Sequence, residues 1–464
     1  MTNLGYVPEE AIAAIATPLV PSAIGIIRTS GKNCIKICAT LFSRPNALLE
    51  AKGNSLVYGW ILNPASREKI DEVMLGVYRA PKSFTGEDMV EIFCHGGIAV
   101  VKKIQGLLLQ NGFRAAERGE FTFRAYINGK TDLTRAEAVK EIIDSRTDSS
   151  RGRAAERLTG KLLQEIDSIK KLIIDSIATL EVGIEYPEDE ENISDSFDTH
   201  LILQAQNRLH TLLDSWRSEK LFQDGAKIVL CGKTNAGKSS LFNAFLKQDR
   251  AIVSDIEGTT RDWLESWVDF DGLPVRLFDT AGLRETSDSI EAEGVEAAKD
   301  LSFEADIILY VKDSRFDFEN ADFEFFSEHK NIPCILLLNK SDSDEAKEQN
   351  IPLPILDFCK GSVRVSAKSG AGLQDVIQLT NEILCVAEKR DSGVAGLGSE
   401  RQKKSVQEAL ERVEHSLFVL NQDFAMDAVV QDLEDSLDSL GEVTGSVTPD
   451  DILESIFSHF CVGK

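Results

Sequence analysis

Eight residues, Gly232-Lys-Thr-Asn-Ala-Gly-Lys238-Ser239, carry the most specific chemistry in this sequence. They follow the apolar run Lys227-Ile-Val-Leu-Cys231 and open a helix-forming stretch, which is the setting a phosphate-binding loop requires. The glycines let backbone N–H groups close around phosphate oxygens, and the start of a helix favours the negative charge placed there. Asn235, Ala236 and Gly237 form the crest of the loop. Lys238 is placed to reach the β- and γ-phosphates, Ser239 to ligate Mg²⁺, and Ser240 lies beside it in the first turn. The motif implies a bound nucleoside triphosphate.

Three later motifs narrow the base. Asp279-Thr280-Ala281-Gly282 ends the next apolar run, where an acid can hold Mg²⁺ through water and a glycine N–H can sense the γ-phosphate. Asn339-Lys340-Ser341-Asp342 ends another, and a carboxylate at Asp342 can accept from N1–H and the 2-amino group of guanine, which adenine lacks. Ser366-Ala367-Lys368 ends the last run and offers backbone contacts to the guanine O6. In the loop between the first two motifs, Thr259 or Thr260 can close over Mg²⁺. Four motifs in this order, each at the carboxyl end of a strand, imply a GTP-binding domain.

Two anomalies accompany them. Leu283 follows Gly282, where Ras-like proteins carry the water-orienting Gln, so another group must position the water. Asn235 brings an amide into the phosphate loop, and two readings stand side by side. It binds a monovalent cation against the phosphates in place of an arginine finger, or it makes a loop-shaping hydrogen bond.

These motifs need a scaffold. From 221 to 386, strand-like runs (227–231, 274–278, 306–311, 334–338 and Val363-Arg-Val365) alternate with helical stretches, which predicts an α/β sheet wrapped by helices. Leu264 to Phe270 and Leu273 to Phe278 flank Asp271-Gly272, a hairpin signal that predicts one antiparallel edge strand. Residues 1–128 mix β-type runs (24–28, 72–78 and 89–93) with one helical stretch after Gly97, an α+β pattern. Between 129 and 220, apolar residues recur every three or four positions (Leu162, Ile166, Ile169, Ile173, Ile177, Leu180, then Leu201, Ala205, Leu209, Leu212, Trp216), which predicts long amphipathic helices. Tyr186-Pro-Glu-Asp-Glu-Glu-Asn between them reads as a solvated acidic connection. Beyond the Gly-rich stretch Gly393 to Gly398, helical periodicity returns in 387–464. The economical arrangement is an α/β domain inserted into a helical domain built from both flanking segments.

Composition bounds the function. The 464 residues include 51 Lys plus Arg against 76 Asp plus Glu, a net charge of −25, so the bulk field of the chain repels nucleic acid, and a basic partner or a local pocket must serve any such role. Apolar runs reach only five or six residues, far short of the ~18 of a membrane span. The start lacks a basic segment followed by an apolar one, so secretion is not expected. Eight scattered cysteines, without zinc spacing, fit reduced thiols in a cytoplasmic protein.

Further segments extend beyond nucleotide binding: Ile12-Ala-Ala-Ile-Ala-Thr-Pro18, Ser83-Phe-Thr-Gly-Glu-Asp88, His95-Gly-Gly97, Gly119-Glu-Phe-Thr122, Arg124-Ala-Tyr-Ile-Asn-Gly-Lys130 with Asp132-Leu133, Gly258-Thr-Thr-Arg-Asp262, and Phe460-Cys-Val-Gly-Lys464. On these, running from end to end, the chain resembles the MnmE (also called TrmE) family of GTPases that modify the wobble uridine of certain tRNAs. The ending Cys-Val-Gly-Lys differs from the family's usual Cys-Ile-Gly-Lys by one conservative change, and it does not fit a prenylation box. Between Pro18 and Ile26 the family usually has a Gly-rich turn, whereas this chain reads Leu19-Val-Pro-Ser-Ala23.

The resemblance implies an N-terminal folate-binding domain that dimerises, a central helical domain, and an inserted Ras-like G domain. It implies K⁺ held by Asn235 and the backbone of Ser254, Ile256 and Thr259, and Mg²⁺ held by Ser239 and Thr260. Asp255, Glu257 and Gly258 complete the loop over the nucleotide. Glu291 matches the acid that orients water, although its own setting, the start of an acidic helical stretch, reads as dipole complementation. Arg28, Glu91, Lys130 and Lys464 correspond to contacts of a tetrahydrofolate derivative, either 5-formyl or 5,10-methylene. By its residue type alone Arg28, at a strand end, reads as a surface cation, and Cys461, the family's C-terminal cysteine, as a buried small hydrophobe. The implied activity is a homodimeric, K⁺-dependent GTP hydrolase. It acts with the FAD-binding partner MnmG, in a heterotetramer, to add an aminomethyl or carboxymethylaminomethyl group at uridine C5, with tRNA held largely by the partner. The competing reading is a GTP switch assisting ribosome assembly, as in Era-like proteins; those append a basic RNA-binding module, whereas this chain ends in an acidic helical segment.

Overall fold

A computed structural model describes residues 10–185, 198–247, 264–280, 300–346, 350–385, 396–420 and 426–463. They form two compact units. The first takes in residues 1–140, 166–206 and 404–464, the second 141–165 and 207–403.

The first unit is built on a six-stranded sheet: β1 (Ile12–Ile15), β2 (Ser22–Ser30), β3 (Ser55–Leu62), β4 (Lys69–Tyr78), β5 (Met89–Gly96) and β6 (Arg114–Ala115), in the order β3-β4-β5-β2-β1-β6. All neighbours are antiparallel except β1 and β6. One face carries alternating apolar residues (Val73, Leu75 and Val77; Val90, Ile92 and Cys94) that pack on the helix Ile98–Gln110 through Val101, Ile104, Leu107 and Leu108. The expected single helix has company. Cys34–Thr40, Pro45–Leu49 and Glu120–Ile127 are short, none has a side-chain cap at its N-terminus, and the last is buried around most of its circumference, so no 3.6-residue stripe announces it. The departure at Leu19-Val-Pro-Ser-Ala23 falls on the exposed connection from β1 into β2, where Leu19 and Val20 face solvent.

The C-terminus folds back into this unit. Phe457, fully buried in the helix Asp450–Ser458, packs on Phe123 with ring centroids 5.2 Å apart and on Phe460 at 5.5 Å; Leu133, Ala136 and Leu453 complete the cluster. Beyond it Val462 bridges to Arg118.

The second unit contains a sheet in the order β12-β11-β10-β7-β9-β8, comprising β7 (Ala226–Cys231), β8 (Leu264–Phe270), β9 (Leu273–Asp279), β10 (Ile307–Asp313), β11 (Cys334–Asn339) and β12 (Cys359–Arg364). Only β8 is antiparallel to its neighbour, and Asp271 and Gly272 both take the positive φ (53° and 97°) that the Asp-Gly hairpin demands. β10 and β11 are buried at every position, as a parallel strand covered on both faces must be. The last strand starts at Cys359, four residues before the expected Val363. It is an edge strand whose Lys360, Ser362 and Arg364 face solvent, so its polar alternation hides it.

Arg157, 1% exposed, ties three remote segments of this unit together. Its Nε donates to Glu141 at 2.7 Å, and one Nη pairs with Glu219 at 2.7 Å and reaches the Gly396 carbonyl at 3.3 Å. Burial disfavours its charge, yet the two glutamates hold the guanidinium above its ordinary value. Arg157→Ala would take a cation from both carboxylates, leaving Glu219 with Arg153 alone, and we expect a loss of about 3–5 kcal/mol in urea unfolding of this unit. A midpoint equal to wild type would show that water replaces the guanidinium without cost.

Candidate guanine-nucleotide and folate sites

The nucleotide motifs converge because parallel strands bring their carboxyl ends to one edge of the sheet. β7 delivers the phosphate loop, β9 delivers Asp279 and Thr280, β11 delivers Asn339 to Asp342, and β12 leads into Ser366 to Lys368. A cavity of about 580 Å³ lies among them, lined by Gly237, Ser240, Asn339, Lys340, Asp342, Ala367 and Lys368, together with Asn243, Ala244 and Lys247 from the helix Lys238–Lys247.

Asn339 is the hub. It is 1% exposed; its Nδ2 donates to the Ala236 carbonyl at 2.8 Å, and its Oδ1 accepts from Ala367 N at 3.2 Å. One amide thus spans the phosphate loop and the Ser-Ala-Lys turn. Gly237 has a φ of 101°, and a Cβ there would stand 2.2 Å from that same Nδ2. The glycine therefore serves the approach of Asn339 as well as the turn of the loop.

Asp342 is exposed and accepts from Ser366 Oγ at 2.7 Å. That hydroxyl lowers its carboxyl below the usual value, keeping it an ionised acceptor as guanine recognition requires. Ser341 N bonds the Val365 carbonyl, and Lys340 Nζ donates to the Asn235 carbonyl at 2.9 Å. Asn235 itself is exposed with a φ of 62°. Lys238 Nζ sits within the loop on the Gly232 and Lys233 carbonyls at 2.9 and 3.0 Å, so a buried positive charge faces the place where phosphates bind. Asp279, buried at the end of β9, and Thr280, whose hydroxyl donates to the Leu230 carbonyl at 2.8 Å, join the loop from the adjacent strand, with Ser239 in the first helical turn. The sequence signals did not single out Asp313 or Lys233. Asp313 ends β10 and holds Lys340 at 2.7 Å; Lys233 pairs with Glu319 at 2.6 Å. Each is an ordinary charged residue in sequence, identified only by its partner. Ser254, Asp255, Ile256, Glu257, Gly258, Thr259, Thr260, Ala281, Gly282 and Glu291 lie outside the described residues.

In the first unit, Arg28 stands two residues from the carboxyl end of β2, and its side chain is 17% exposed, so it is not the surface cation its residue type suggests. The strand runs on to Ser30 because Thr29 and Ser30 are buried polar residues with partners of their own: Thr29 Oγ1 donates to the Val90 carbonyl and Ser30 Oγ to Glu87. Antiparallel register sets Arg28 opposite Glu91, and Nε meets Oε1 at 2.9 Å. Nη1 donates to the Gly463 carbonyl at 3.1 Å, and the guanidinium lies over the rings of Phe84 and Phe121. Tyr78 completes the group: its hydroxyl donates to Glu91 Oε2 at 3.2 Å, and burial, with the Glu91 charge, raises its pKa. Lys130 does not meet Arg28 directly. It is exposed and donates to the Pro81 carbonyl at 3.1 Å, on the same loop that carries Phe84. Beneath lies the fully buried Arg124, paired with Glu120 at 2.8 Å and Glu87 at 3.0 Å. Cys461 is exposed, unlike the buried hydrophobe its residue type alone suggests, because Phe457 and Phe460 take the apolar pocket and Cys461 and Val462 follow on the surface before the buried Gly463. Lys464 lies outside the described residues.

Gly237→Ala should abolish binding of a fluorescent guanine nucleotide while the melting temperature moves by only a few degrees, because both the positive φ and the 2.2 Å contact are violated at the loop crest. Retained submicromolar binding would show that the loop does not hold the phosphates in this geometry.

Two family models match the sequence: "GTP-binding protein TrmE N-terminus" over residues 11–130 and "MnmE helical domain" over 133–461. The chain is similar to the "tRNA modification GTPase MnmE" of Treponema denticola, with 50% identity over 467 residues covering 99% of both chains. It is 41% identical to the protein of that name from Treponema pallidum, again over 99% of both, and 38% identical to that of Borrelia recurrentis over 98% of both. With relatives matched along their whole length and a nucleotide site assembled as described, the chain belongs to the MnmE (TrmE) family of tRNA modification GTPases.

Proposed function

We propose that the chain is a cytoplasmic, homodimeric, K⁺-dependent GTPase that acts with the FAD-binding protein MnmG, in a heterotetramer, on C5 of the wobble uridine of certain tRNAs. A tetrahydrofolate derivative serves as one-carbon donor, and the product carries an aminomethyl or carboxymethylaminomethyl group. The observation that carries this reading is the docking of the C-terminal tail on the N-terminal sheet. Gly463 lies on Arg28 beside Glu91, which brings the neighbourhood of Cys461 to the residues that correspond to a folate site. A pure GTP switch gives no reason for that contact. The donor set suits a pterin: Glu91 is an acceptor for N–H groups, and the exposed Phe84 and the half-buried Tyr78 offer ring surfaces.

On the GTPase side, Lys238 and the N–H groups of the phosphate loop orient the triphosphate, and Asp342 selects guanine over adenine. Ser239 and Thr260 would hold Mg²⁺, with Asp279 behind them. Asn235, with the backbone of Ser254, Ile256 and Thr259, would hold K⁺. Such a cation supplies positive charge against the phosphates in place of an arginine finger. Asn235 fits that part because it stands exposed at the loop crest in a left-handed conformation. Glu291 takes the place of the absent Gln and orients the attacking water. With a net charge of −25 the chain relies on MnmG for much of the tRNA phosphate contact.

Turnover should rise on the order of tenfold or more with K⁺ and little with Na⁺ at matched ionic strength, and Asn235→Ala should lose this stimulation while still binding GTP. Equal turnover in the two salts would overturn the cation assignment.

Deletion of Cys461 to Lys464 should abolish tRNA modification and leave GTP hydrolysis within about twofold, since the deleted residues follow the Phe457 and Phe460 anchors. Equal loss of both activities would mean that the tail stabilises the fold instead.

A further inference from the structure

We propose that Asp313 is a positioning residue of the nucleotide site: by anchoring the Lys340 ammonium it fixes the guanine-recognition turn and the crest of the phosphate loop as one body. The inference rests on reading the chain as a GTPase.

Parallel register places Asp313, the last residue of β10, directly beside Asn339, the last residue of β11, so Lys340 emerges next to the carboxylate. Its Nζ meets Asp313 Oδ2 at 2.7 Å and, from the same nitrogen, the Asn235 carbonyl at 2.9 Å. Arg315 binds the other side of the carboxylate through Nε and its backbone N, each at 3.1 Å to Oδ1, with Nη2 at 2.8 Å to Oδ2. Asp313 is 8% exposed, so its charge acts where water screens it little. Although burial opposes ionisation, the bonds from Arg315 and Lys340 keep its carboxyl well below the usual range.

Lys340 has a φ of 61°, in the left-handed region that side chains other than Gly, Asn and Asp rarely adopt, and Asn235, with a φ of 62°, shares that region as a residue type that tolerates it. Such conformations persist only where surrounding bonds over-determine them. Asn339 already holds the next loop carbonyl, that of Ala236. Successive carbonyls of the loop are thus drawn toward the guanine motif by two successive side chains, and the second of these is free to swing unless Asp313 holds it. Lys340 is a flexible four-carbon chain, 31% exposed. Without the carboxylate its ammonium has better company in water than on a single carbonyl. The effect on nucleotide then comes through the position of Lys340 and Asn235, with no direct contact from Asp313.

The test is a double-mutant cycle on the full chain, with GDP affinity, KM and kcat for GTP as readouts and the melting temperature recorded for each variant. Asp313→Asn conserves volume and keeps an acceptor for the Arg315 backbone. We expect it to weaken GDP binding and raise KM roughly tenfold, as loss of a charge-assisted anchor implies, with kcat within about twofold. In Asp313→Asn combined with Lys340→Ala, affinity should fall no further than in Lys340→Ala alone, because the two act as one unit. Arg315→Ala leaves the Asp313 to Lys340 pair in place and should stay within about threefold of wild type. The proposal is overturned if Asp313→Asn leaves affinity and KM unchanged, if the two losses multiply in the double variant, or if Arg315→Ala costs as much as Asp313→Asn. Wild-type protein that binds no guanine nucleotide would instead sink the GTPase reading itself.

Discussion

The buried amide of Asn339 constrains the nucleotide site more than any other single group. A side chain 1% exposed must find partners for both its donor and its acceptor, and it finds them on backbone atoms of two different motifs, the Ala236 carbonyl and the Ala367 amide. Leaving either unmatched in so dry a place costs on the order of 1–3 kcal/mol, so loop, turn and strand end are placed relative to one another at once. Gly237 follows from this, because the amide passes where a Cβ would stand. The cavity of about 580 Å³ is lined in part by the same pieces, Gly237, Asn339 and Ala367.

The first unit meets a different constraint, the return of the chain end. Arg28 and Gly463 are 435 residues apart in sequence and 3.1 Å apart in space. One hydrogen bond does not offset the entropy of closing so long a loop. The aromatic cluster of Phe123, Phe457 and Phe460 does, by removing three large apolar surfaces from water. Once that cluster is packed, Cys461 and Val462 are left exposed and only Gly463 is buried, close against the backbone of Ile15 and Ala16. The tail lies along the sheet with its cysteine exposed, held by the Val462 bridge and by Arg28. Docking by aromatics and presentation by the tail are separate tasks performed by adjacent residues.

Ion pairs in the second unit hold pieces in place where apolar packing alone would leave them free to slide. Arg157, through Glu141, Glu219 and the Gly396 carbonyl, gathers segments from both sides of the α/β sheet's chain interval. Lys312, 4% exposed, pairs with the fully buried Asp322, which also accepts from Tyr310, and Lys233 of the phosphate loop pairs with Glu319 at the start of the same helix, Asn320–Glu328. Such pairs stabilise little against an apolar replacement but specify position, because a buried charge tolerates only the geometry that satisfies it.

Whatever depends on local order is legible along the chain: the phosphate loop and the guanine motifs, the near-continuous apolar runs of β10 and β11, the Asp-Gly hairpin, and the long helices, which the structure has at Lys161–Glu185 and His200–Asp224. Each is encoded by neighbours within about ten residues, the range over which spacing and turn chemistry act. What has no local period is not legible there. The edge strand Cys359–Arg364 alternates polar residues toward solvent, and the short helix Glu120–Ile127 is buried nearly all round with a charged Arg124 inside it. Residue type alone also made Arg28 a surface cation and Cys461 a buried hydrophobe, whereas Arg28 is largely buried among partners and Cys461 is exposed. Which charges meet is settled only on folding. Arg28 faces Glu91 through an antiparallel register, Asp313 faces Lys340 through a parallel one, and Gly463 reaches Arg28 across the whole chain. The physical reason is that an ionic or hydrogen-bonded partner is selected by distance and desolvation in the folded state, and neither quantity is written in the spacing of residues along the chain.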